Sequence, residues 1–247
     1  MQTTRPAKIE VAESQAAFDA TARASSAFDD IVWRALTGPH AAFALGTDEA
    51  RRYAPGFSPI VGFANRERPN VGALAPFCTP GEHFYWDGWS GEAPAGWHID
   101  VEDVMLKMVW DAPMPADEAP EAIRLGPQNV AQALDLVALT RPGPFGPRTL
   151  ELGDYFGCFD NGRLVAMAGQ RLCAPPLREV SGVCTHPDFQ GRGFARRLMT
   201  KVIRGAMQRA ETACLHVMRE NSTAARLYVR MGFRVYRESA VRVISKE

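Results

Sequence analysis

The amino-acid sequence predicts an α/β protein, with a mixed sheet in its C-terminal half and a smaller α/β half before it. Two observations lead to this fold class. After residue 120, strand-like segments dominate first and helix-like segments interleave later, a pattern typical of a sheet covered on both faces. In addition, 46% of the 247 residues are hydrophobic, which is enough for a sizeable core.

A proline-rich segment separates the two halves. Residues 111–120 contain three prolines among acidic and alanine residues, a composition that disfavours regular structure. We therefore expect an N-terminal domain over residues 1–112 and a second domain over residues 120–247.

The C-terminal half shows a regular succession of elements. Apolar residues at helical spacing predict a helix over 129–140, and Asp160-Asn161-Gly162 between two apolar runs indicates a hairpin turn. The other predicted elements are strands at 122–125, 155–159, 164–168, 180–185, around 215 and at 233–243, and helices after Gly193 and from Ser222.

The first half is less regular. Its patterns predict helices at 16–25, 31–36 and 71–77, strands at 42–45, 60–64 and 83–86, and a strand or helix at 104–110. Five aromatic residues either line an acceptor pocket between the halves or form an ordinary core: Phe84, Tyr85, Trp86, Trp89 and Trp97.

Composition excludes several classes of protein. The 28 basic and 28 acidic residues cancel, which argues against a nucleic-acid surface. No apolar run reaches the roughly 20 residues that cross a bilayer, and the N-terminus lacks the apolar core of a signal peptide. Five scattered cysteines are expected to be small buried residues in a reducing cytoplasm, without disulfides or a metal site.

The segment Gln190-Gly191-Arg192-Gly193-Phe194-Ala195 lies between a predicted strand and a predicted helix. Backbone N–H groups at the start of a helix can bind an anion, and glycine lets a ligand approach closely. Arg192, Arg196 and Arg197 add positive charge nearby. The alternative is a tight turn with solvated arginines.

Residues 183–195 resemble the acetyl-CoA signature of the GNAT N-acyltransferase superfamily. That signature, Gln/Arg-x-x-Gly-x-Gly/Ala after a strand and a His-Pro turn, is met by Gln190, Gly193 and Ala195. A second family marker, Asn-x-x-Ala-x-x-Leu-Tyr followed by Gly-Phe, runs from Asn221 to Tyr228 and on to Phe233. The resemblance covers about residues 120–247 and is greatest to the branch of glycine N-acyltransferase-like proteins.

This resemblance implies a GNAT fold in the C-terminal half, preceded by a degenerate GNAT-like half without its own acetyl-CoA turn. It also implies an N-acetyltransferase that moves an acetyl group from acetyl-CoA to a small-molecule amine by direct attack, without a metal, as a monomer or homodimer. Two alternatives stay open: a non-catalytic acetyl-CoA sensor, and an acyltransferase that uses a longer acyl-CoA.

The resemblance also implies which residues bind the donor. The strand backbone around Val183, Cys184 and Thr185 would pair with the pantetheine arm, and Asn221 would hydrogen-bond it or simply cap a helix. The turn would hold the pyrophosphate through Gln190, Gly191, Arg192, Gly193, Phe194, Ala195 and Arg196.

Two catalytic residues follow from the same comparison. Tyr228 would protonate the leaving thiolate, or else is a helix aromatic packed on the sheet. Glu179 would accept the amine proton, or else is a solvated strand end beside Arg178. His216 is an alternative base, whereas His186 fits a turn and Cys184 a structural position.

Overall fold

The structure, a computed structural model, describes residues 27–247. The helix predicted at 16–25 lies outside this range. The described chain forms an eight-stranded mixed sheet and a separate three-stranded sheet, with helices packed against them. The predicted α/β class is confirmed.

The α-helices are α1 (Ile31–Thr37), α2 (Val71–Leu74), α3 (Val130–Thr140), α4 (Phe194–Met207) and α5 (Ser222–Met231). The strands are β1 (Ala44–Gly46), β2 (Ala50–Tyr53), β3 (Val61–Phe63), β4 (His83–Asp87), β5 (Trp97–Trp110), β6 (Ile123–Arg124), β7 (Tyr155–Asp160), β8 (Arg163–Ala174), β9 (Leu177–Thr185), β10 (Thr212–Met218) and β11 (Phe233–Lys246). Short 3₁₀ helices cover Ala41–Phe43, Ala75–Phe77, Pro127–Asn129, Thr149–Leu152 and Pro187–Phe189.

The large sheet runs in the order β4-β11-β5-β10-β9-β8-β7-β6. Only β9 and β10 are parallel to each other, and the remaining neighbours are antiparallel. Strands β4 and β5 precede the proline-rich segment, so the sheet takes strands from both sides of it. The division into domains at 1–112 and 120–247 stays a prediction.

Helices cover both faces of the sheet. Leu215 on β10 packs in a cluster with Leu198 of α4. The next position towards the N-terminus, Cys214, packs in a different cluster with Ile31 of α1. Because successive strand residues point to opposite faces, α4 and α1 lie on opposite sides of the sheet.

The segment 111–120 has no regular structure, as its prolines predict. It is nevertheless tied down, because Asp117 pairs with Lys201 of α4 at 2.7 Å and Ala119 is fully buried in the α4 cluster. The proline-rich segment is thus packed along the C-terminal half.

The structure differs from the sequence patterns in three places. Residues 97–110 form one long strand, which resolves the ambiguity at 104–110. The predicted strand at 42–45 is a 3₁₀ helix that runs into β1. Strand β2 was not predicted, because Arg51 and Arg52 interrupt its apolar pattern.

The aromatic residues of the first half form an ordinary core. Phe84, Trp86, Trp89 and Trp97 are buried in one cluster, and the rings of Trp86 and Trp89 stack at 4.1 Å. Tyr85 packs against a neighbouring cluster. The structure also confirms that the five cysteines are buried, and each is a free thiol.

Residues 27–247 contain no candidate membrane-spanning helix and no candidate metal cluster. None of the helices in that range combines the length and apolar character that a bilayer crossing requires. Nor does that range contain a group of three or more histidine, cysteine or acidic side chains placed to hold a metal ion.

Candidate active site

An opening between β9 and β10 is the main irregularity of the large sheet. The two strands pair only from Leu177–Thr212 to Glu179–Cys214, although β9 continues to Thr185 and β10 to Met218. Beyond Glu179 the strands have no ladder pairs with each other, so the β9 backbone presents an open edge to this gap. We call the gap the wedge, and the Glu179–Cys214 pair closes its narrow end.

A β-bulge shapes the β9 side of the wedge. Between the pairs Gly169–Ser181 and Met167–Cys184, β9 carries one more residue than β8. Gly182 occupies the bulge with a φ of +62°, and a Cβ there would lie 3.0 Å from the Tyr155 ring. Bulges bend a strand and change the direction of its edge groups. Only glycine fits here without moving the tyrosine.

The turn after β9 is open and rich in unpaired donors. Gly191 and Gly193 have φ values of +75° and +79°, and a Cβ at either one would meet nothing within 4 Å. Helix α4 begins at Phe194 without a side-chain cap. The backbone N–H groups of 191–196 have no acceptor in the described chain. Such a turn is an anion site.

The three nearby arginines have different surroundings. Arg192 stacks on the Phe189 ring at 4.7 Å and donates to the Asp188 carbonyl, with no carboxylate partner among residues 27–247. Arg196 and Arg197, in contrast, pair with Glu118 and Glu121. Arg192 is therefore the arginine whose charge is free to serve the turn, and the other two hold the proline-rich segment.

The other predicted donor-binding residues lie around the same opening. Asn221 caps α5, since its side chain accepts from the Ala224 N–H at 3.1 Å, and it is exposed. Gln190 is exposed and reaches the Thr185 carbonyl at 3.5 Å. The Thr185 hydroxyl is buried without a partner in the described residues. The N-cap alternative for Asn221 is confirmed, and its donor contact stays a prediction.

Tyr228 lies on α5 and packs against the α4 cluster, which also contains Val217 and contacts Val183 of the wedge strands. Its ring meets Phe233 edge-on at 6.1 Å. Burial raises the pKa of Tyr228 to about 12, so the phenol keeps its proton at neutral pH.

Burial likewise raises the pKa of the Cys184 thiol to about 11, which argues against a thiolate nucleophile.

Glu179 is not a solvated strand end, because only 1% of it is exposed. The Arg171 guanidinium donates to both carboxylate oxygens, at 2.9 and 2.7 Å. The His216 Nδ1 atom lies 2.7 Å from Oε1. Burial favours a raised pKa, but the Arg171 charge and the His216 hydrogen bond outweigh it and lower the pKa of Glu179 to about 2. Neighbouring Arg178 pairs with Glu211 instead.

His216 places its second ring nitrogen, Nε2, in a buried position without a hydrogen-bond partner in the described chain. Asp87 Oδ2 lies 4.0 Å away and is itself bound to the buried Lys107 at 2.6 Å. Sequence reasoning missed Arg171, Lys107 and Asp87. Ionisable residues within otherwise apolar strands were the available signal, because buried charges are rare unless paired.

His186 forms part of the turn, as predicted: its Nδ1 accepts from the Asp188 N–H at 3.2 Å. The structure thus brings together the predicted strand edge, glycine turn, Asn221 and Tyr228 around one opening. An acyl-CoA fits this arrangement by its chemistry, because an extended amide arm can pair with a strand edge and a pyrophosphate can bind the unpaired N–H groups.

Comparison with known proteins identifies the family. Residues 155–243 match the FR47-like protein family. A crystal structure of a GNAT-family acetyltransferase from Novosphingobium aromaticivorans is 34% identical, with a TM-score of 0.80 over 89% of this chain and 98% of that one. The chain therefore belongs to the GNAT family of acetyltransferases. No curated protein matches it.

More distant structures share the fold. A GCN5-related N-acetyltransferase from Kribbella flavida is 15% identical, with a TM-score of 0.54 over 91% of this chain and 95% of that one. A GCN5-related N-acetyltransferase-like protein from Streptococcus suis is 14% identical, with a TM-score of 0.57 over 91% and 97%. The fold extends over nearly the whole chain in both.

Proposed function

We propose that this protein transfers an acetyl group from acetyl-CoA to the amine of a small molecule by direct attack. The observation that carries the proposal is the wedge, an open strand edge that leads from a glycine turn with unpaired N–H groups to a buried, ionisable cluster at its narrow end. Acyl transfer in general follows from the family, and the acetyl group and the acceptor are part of the proposal.

The donor lies along β9 in this account. The backbone groups of Val183 and Thr185 pair with the pantetheine arm, Cys184 lies between them on the same strand, and Asn221 donates its exposed amide to the arm. The turn from Gln190 to Arg196 receives the pyrophosphate, with Arg192 adding charge. The thioester then lies near the narrow end, because pairing of β9 with β10 stops any ligand from passing Glu179.

The chemistry requires two proton transfers. The amine lone pair attacks the thioester carbon, the amine proton leaves towards the Glu179–His216 pair, and the C–S bond breaks. Tyr228 donates a proton to the departing thiolate. Its raised pKa means that it is protonated before the reaction and regains its proton from solvent afterwards.

A small acceptor suits the covered face of the sheet. The Phe28 ring lies 5.1 Å from the His216 ring, and the segment 54–58 of the first half contacts the loop after α3. A covered site favours a small molecule over a protein tail. We further propose that the protein is cytoplasmic and is a monomer or homodimer. Within the family we place it in the glycine N-acyltransferase-like branch, with a first half that is a degenerate GNAT-like domain.

The test is amine-dependent release of free CoA thiol from acetyl-CoA across amines, amino acids and peptides, with acetyl-CoA binding measured by calorimetry in the same preparation. We expect one class of amine to release thiol. Confirmed binding without release from any amine would favour an acetyl-CoA sensor, and release only from longer acyl-CoA donors would revise the acyl group.

A further inference from the structure

We propose that His216 Nε2 is the atom that takes the proton from the attacking amine, and that Glu179 and Arg171 position the imidazole for this step. This inference rests on the proposed function and assigns its base. It gives Glu179 the role of a positioning residue rather than that of the base expected from the sequence.

The location of the imidazole is the first argument. Glu179 belongs to the last paired position of β9 and β10, and His216 lies two residues beyond its partner Cys214. The imidazole is therefore at the narrow end of the wedge, where a thioester lying along β9 reaches its deepest point. A base has to lie within hydrogen-bond reach of the amine at that point.

The hydrogen bonds of Glu179 are the second argument. A carboxylate that accepts two bonds from Arg171 and one from His216 is held ionised, and its pKa is about 2. Such a group is a weak proton acceptor near neutral pH. It is well suited to hold a ring, because both of its oxygens are fixed within a buried site.

The tautomer of His216 is the third argument. An ionised carboxylate only accepts hydrogen bonds, so the contact at 2.7 Å requires that Nδ1 carry the proton. In the neutral ring Nε2 then has a free lone pair, and this atom is the buried one without a partner among residues 27–247. The ring thus presents an acceptor where a proton has to go.

Charged groups approach the imidazole from every neighbouring element. Glu179 lies on β9, Lys107 on β5 is the cross-strand neighbour of His216, and Asp87 on β4 lies 4.0 Å from His216 Nε2. Behind these, Arg171 binds Glu179, and Asp29 lies 3.7 Å from Lys107 and 3.0 Å from Arg237. Glu179 and Asp87 both stabilise the imidazolium that proton transfer creates, and each keeps its own cationic partner.

The Phe28 ring packs against the imidazole in a tilted arrangement, with 5.1 Å between the ring centroids. In the step itself, the N–C bond forms as the amine N–H bond breaks, and His216 gains that proton. The C–S bond breaks as Tyr228 protonates the leaving thiolate, and the imidazolium returns its proton to solvent after the product leaves.

The first test compares variants with the acceptor found by thiol release. His216→Gln should lower kcat on the order of 10²- to 10³-fold with KM for acetyl-CoA little changed, and should remove the acid limb of the kcat–pH profile. Added imidazole should restore part of the rate to His216→Ala. Glu179→Gln should lower kcat less and move the acid limb to lower pH.

His83→Gln is the matched control, because His83 also pairs with a carboxylate, Asp100 at 3.1 Å, but is exposed. Its rate should equal that of the unaltered protein. Wild-type protein that releases no thiol with any amine would overturn the proposed function together with this inference. Active wild type with an equally active His216→Gln, or an unchanged pH profile, would overturn the base assignment alone.

The second test does not depend on turnover. Nitrogen-15 NMR of the wild-type imidazoles, with His216 assigned by its loss in His216→Gln, should show a proton on Nδ1 and none on Nε2 at neutral pH. The Nδ1 proton signal should change in Glu179→Gln. A ring that is doubly protonated at neutral pH would overturn the proposal, because it would have no lone pair to offer.

Discussion

At the scale of single residues, surroundings decide what an ionisable group can do. Glu179 and Tyr228 both lie near the wedge, yet paired charges lower the pKa of Glu179 to about 2 and burial raises that of Tyr228 to about 12. The carboxylate is held ionised, and the phenol is held protonated. A proton donor and an anionic support therefore coexist in one site at neutral pH.

Replacing Tyr228 by Phe should lower kcat on the order of 10²-fold and leave acetyl-CoA affinity nearly unchanged, because only the departing thiolate needs the phenol. The hydroxyl has no hydrogen-bond partner among the described residues, so the melting temperature should hardly change. Steady-state kinetics and a thermal melt check both expectations.

Tyr85→Phe is the control, since Tyr85 is also half-buried but packs against the α1 cluster, on the other face of the sheet from the cluster that Tyr228 contacts. Full activity in the Tyr228 variant would remove this residue from the mechanism. A loss of activity that paralleled a loss of stability would mean a packing role.

The sequence could predict the parts of the site that are continuous in the chain. The turn at Gln190–Ala195 and the stretch from Asn221 to Tyr228 each carry their spacing within a few residues. The Arg171–Glu179–His216 cluster could not be predicted, because its members come from three strands and Glu179 and His216 are 37 positions apart. Only the register of the folded sheet brings them into contact.

At the scale of elements, the site depends on two departures from regular structure. The bulge at Gly182 and the early end of pairing between β9 and β10 leave a strand edge without a partner inside a sheet. Unpaired backbone groups are costly when buried, so such an edge is retained where a ligand can satisfy it.

The glycine turn at 191–193 is expected to lose affinity for acetyl-CoA when a side chain is added to it. Gly193→Ala adds a methyl group to the open turn that carries the unpaired N–H groups, so acetyl-CoA should bind at least about 10-fold more weakly by calorimetry. The positive φ also costs about 1 kcal/mol or more of stability.

Gly96→Ala isolates the binding effect from the strain. Gly96 has a φ of +77° and equally open surroundings, but it lies in the turn before β5. It should lose similar stability and no affinity. Equal affinity in the two variants would show that the turn does not hold the donor.

Element assignment from sequence succeeded where one face of the pattern is apolar. Strand β2 was not predicted because a charged residue, Arg52, occupies a buried position in it. Arg52 is buried by pairing with Glu82 at 2.6 Å, a partner 30 residues away in the sequence. Residues 104–110 could not be assigned to a strand or a helix, because periodicity does not separate the two in a short apolar run. Their place between β10 and β11 settles it.

At the scale of the whole molecule, a buried histidine connects the two halves. His40 accepts from the Tyr53 hydroxyl through Nδ1 at 2.7 Å and donates from Nε2 to the Leu152 carbonyl at 3.0 Å. These roles require a neutral ring. Burial lowers the pKa of His40 to about 4, against the effect of the Leu152 hydrogen bond.

This pairing makes stability depend on pH. Because the folded pKa is below the unfolded value of 6.5, the unfolded chain binds more protons between these values. The contribution is complete above pH 6.5 and is lost as the pH falls towards 4. Linkage gives about 2 kcal/mol less stability at pH 5 than at pH 7.5 from this residue.

Urea unfolding of His40→Gln should lack this change, so the difference in unfolding free energy between variant and wild type should shrink as the pH falls from 7.5 to 5. His98→Gln, at an exposed position, should follow the wild type. A constant difference across that range would contradict a neutral, buried His40.

The most direct test of the account is the stoichiometry of the reaction. Mass spectrometry should detect one acetylated amine for every CoA thiol released, with product formation dependent on both the amine and Tyr228. Thiol release without an acetylated amine, or confirmed acetyl-CoA binding with neither product, would contradict direct transfer at the wedge.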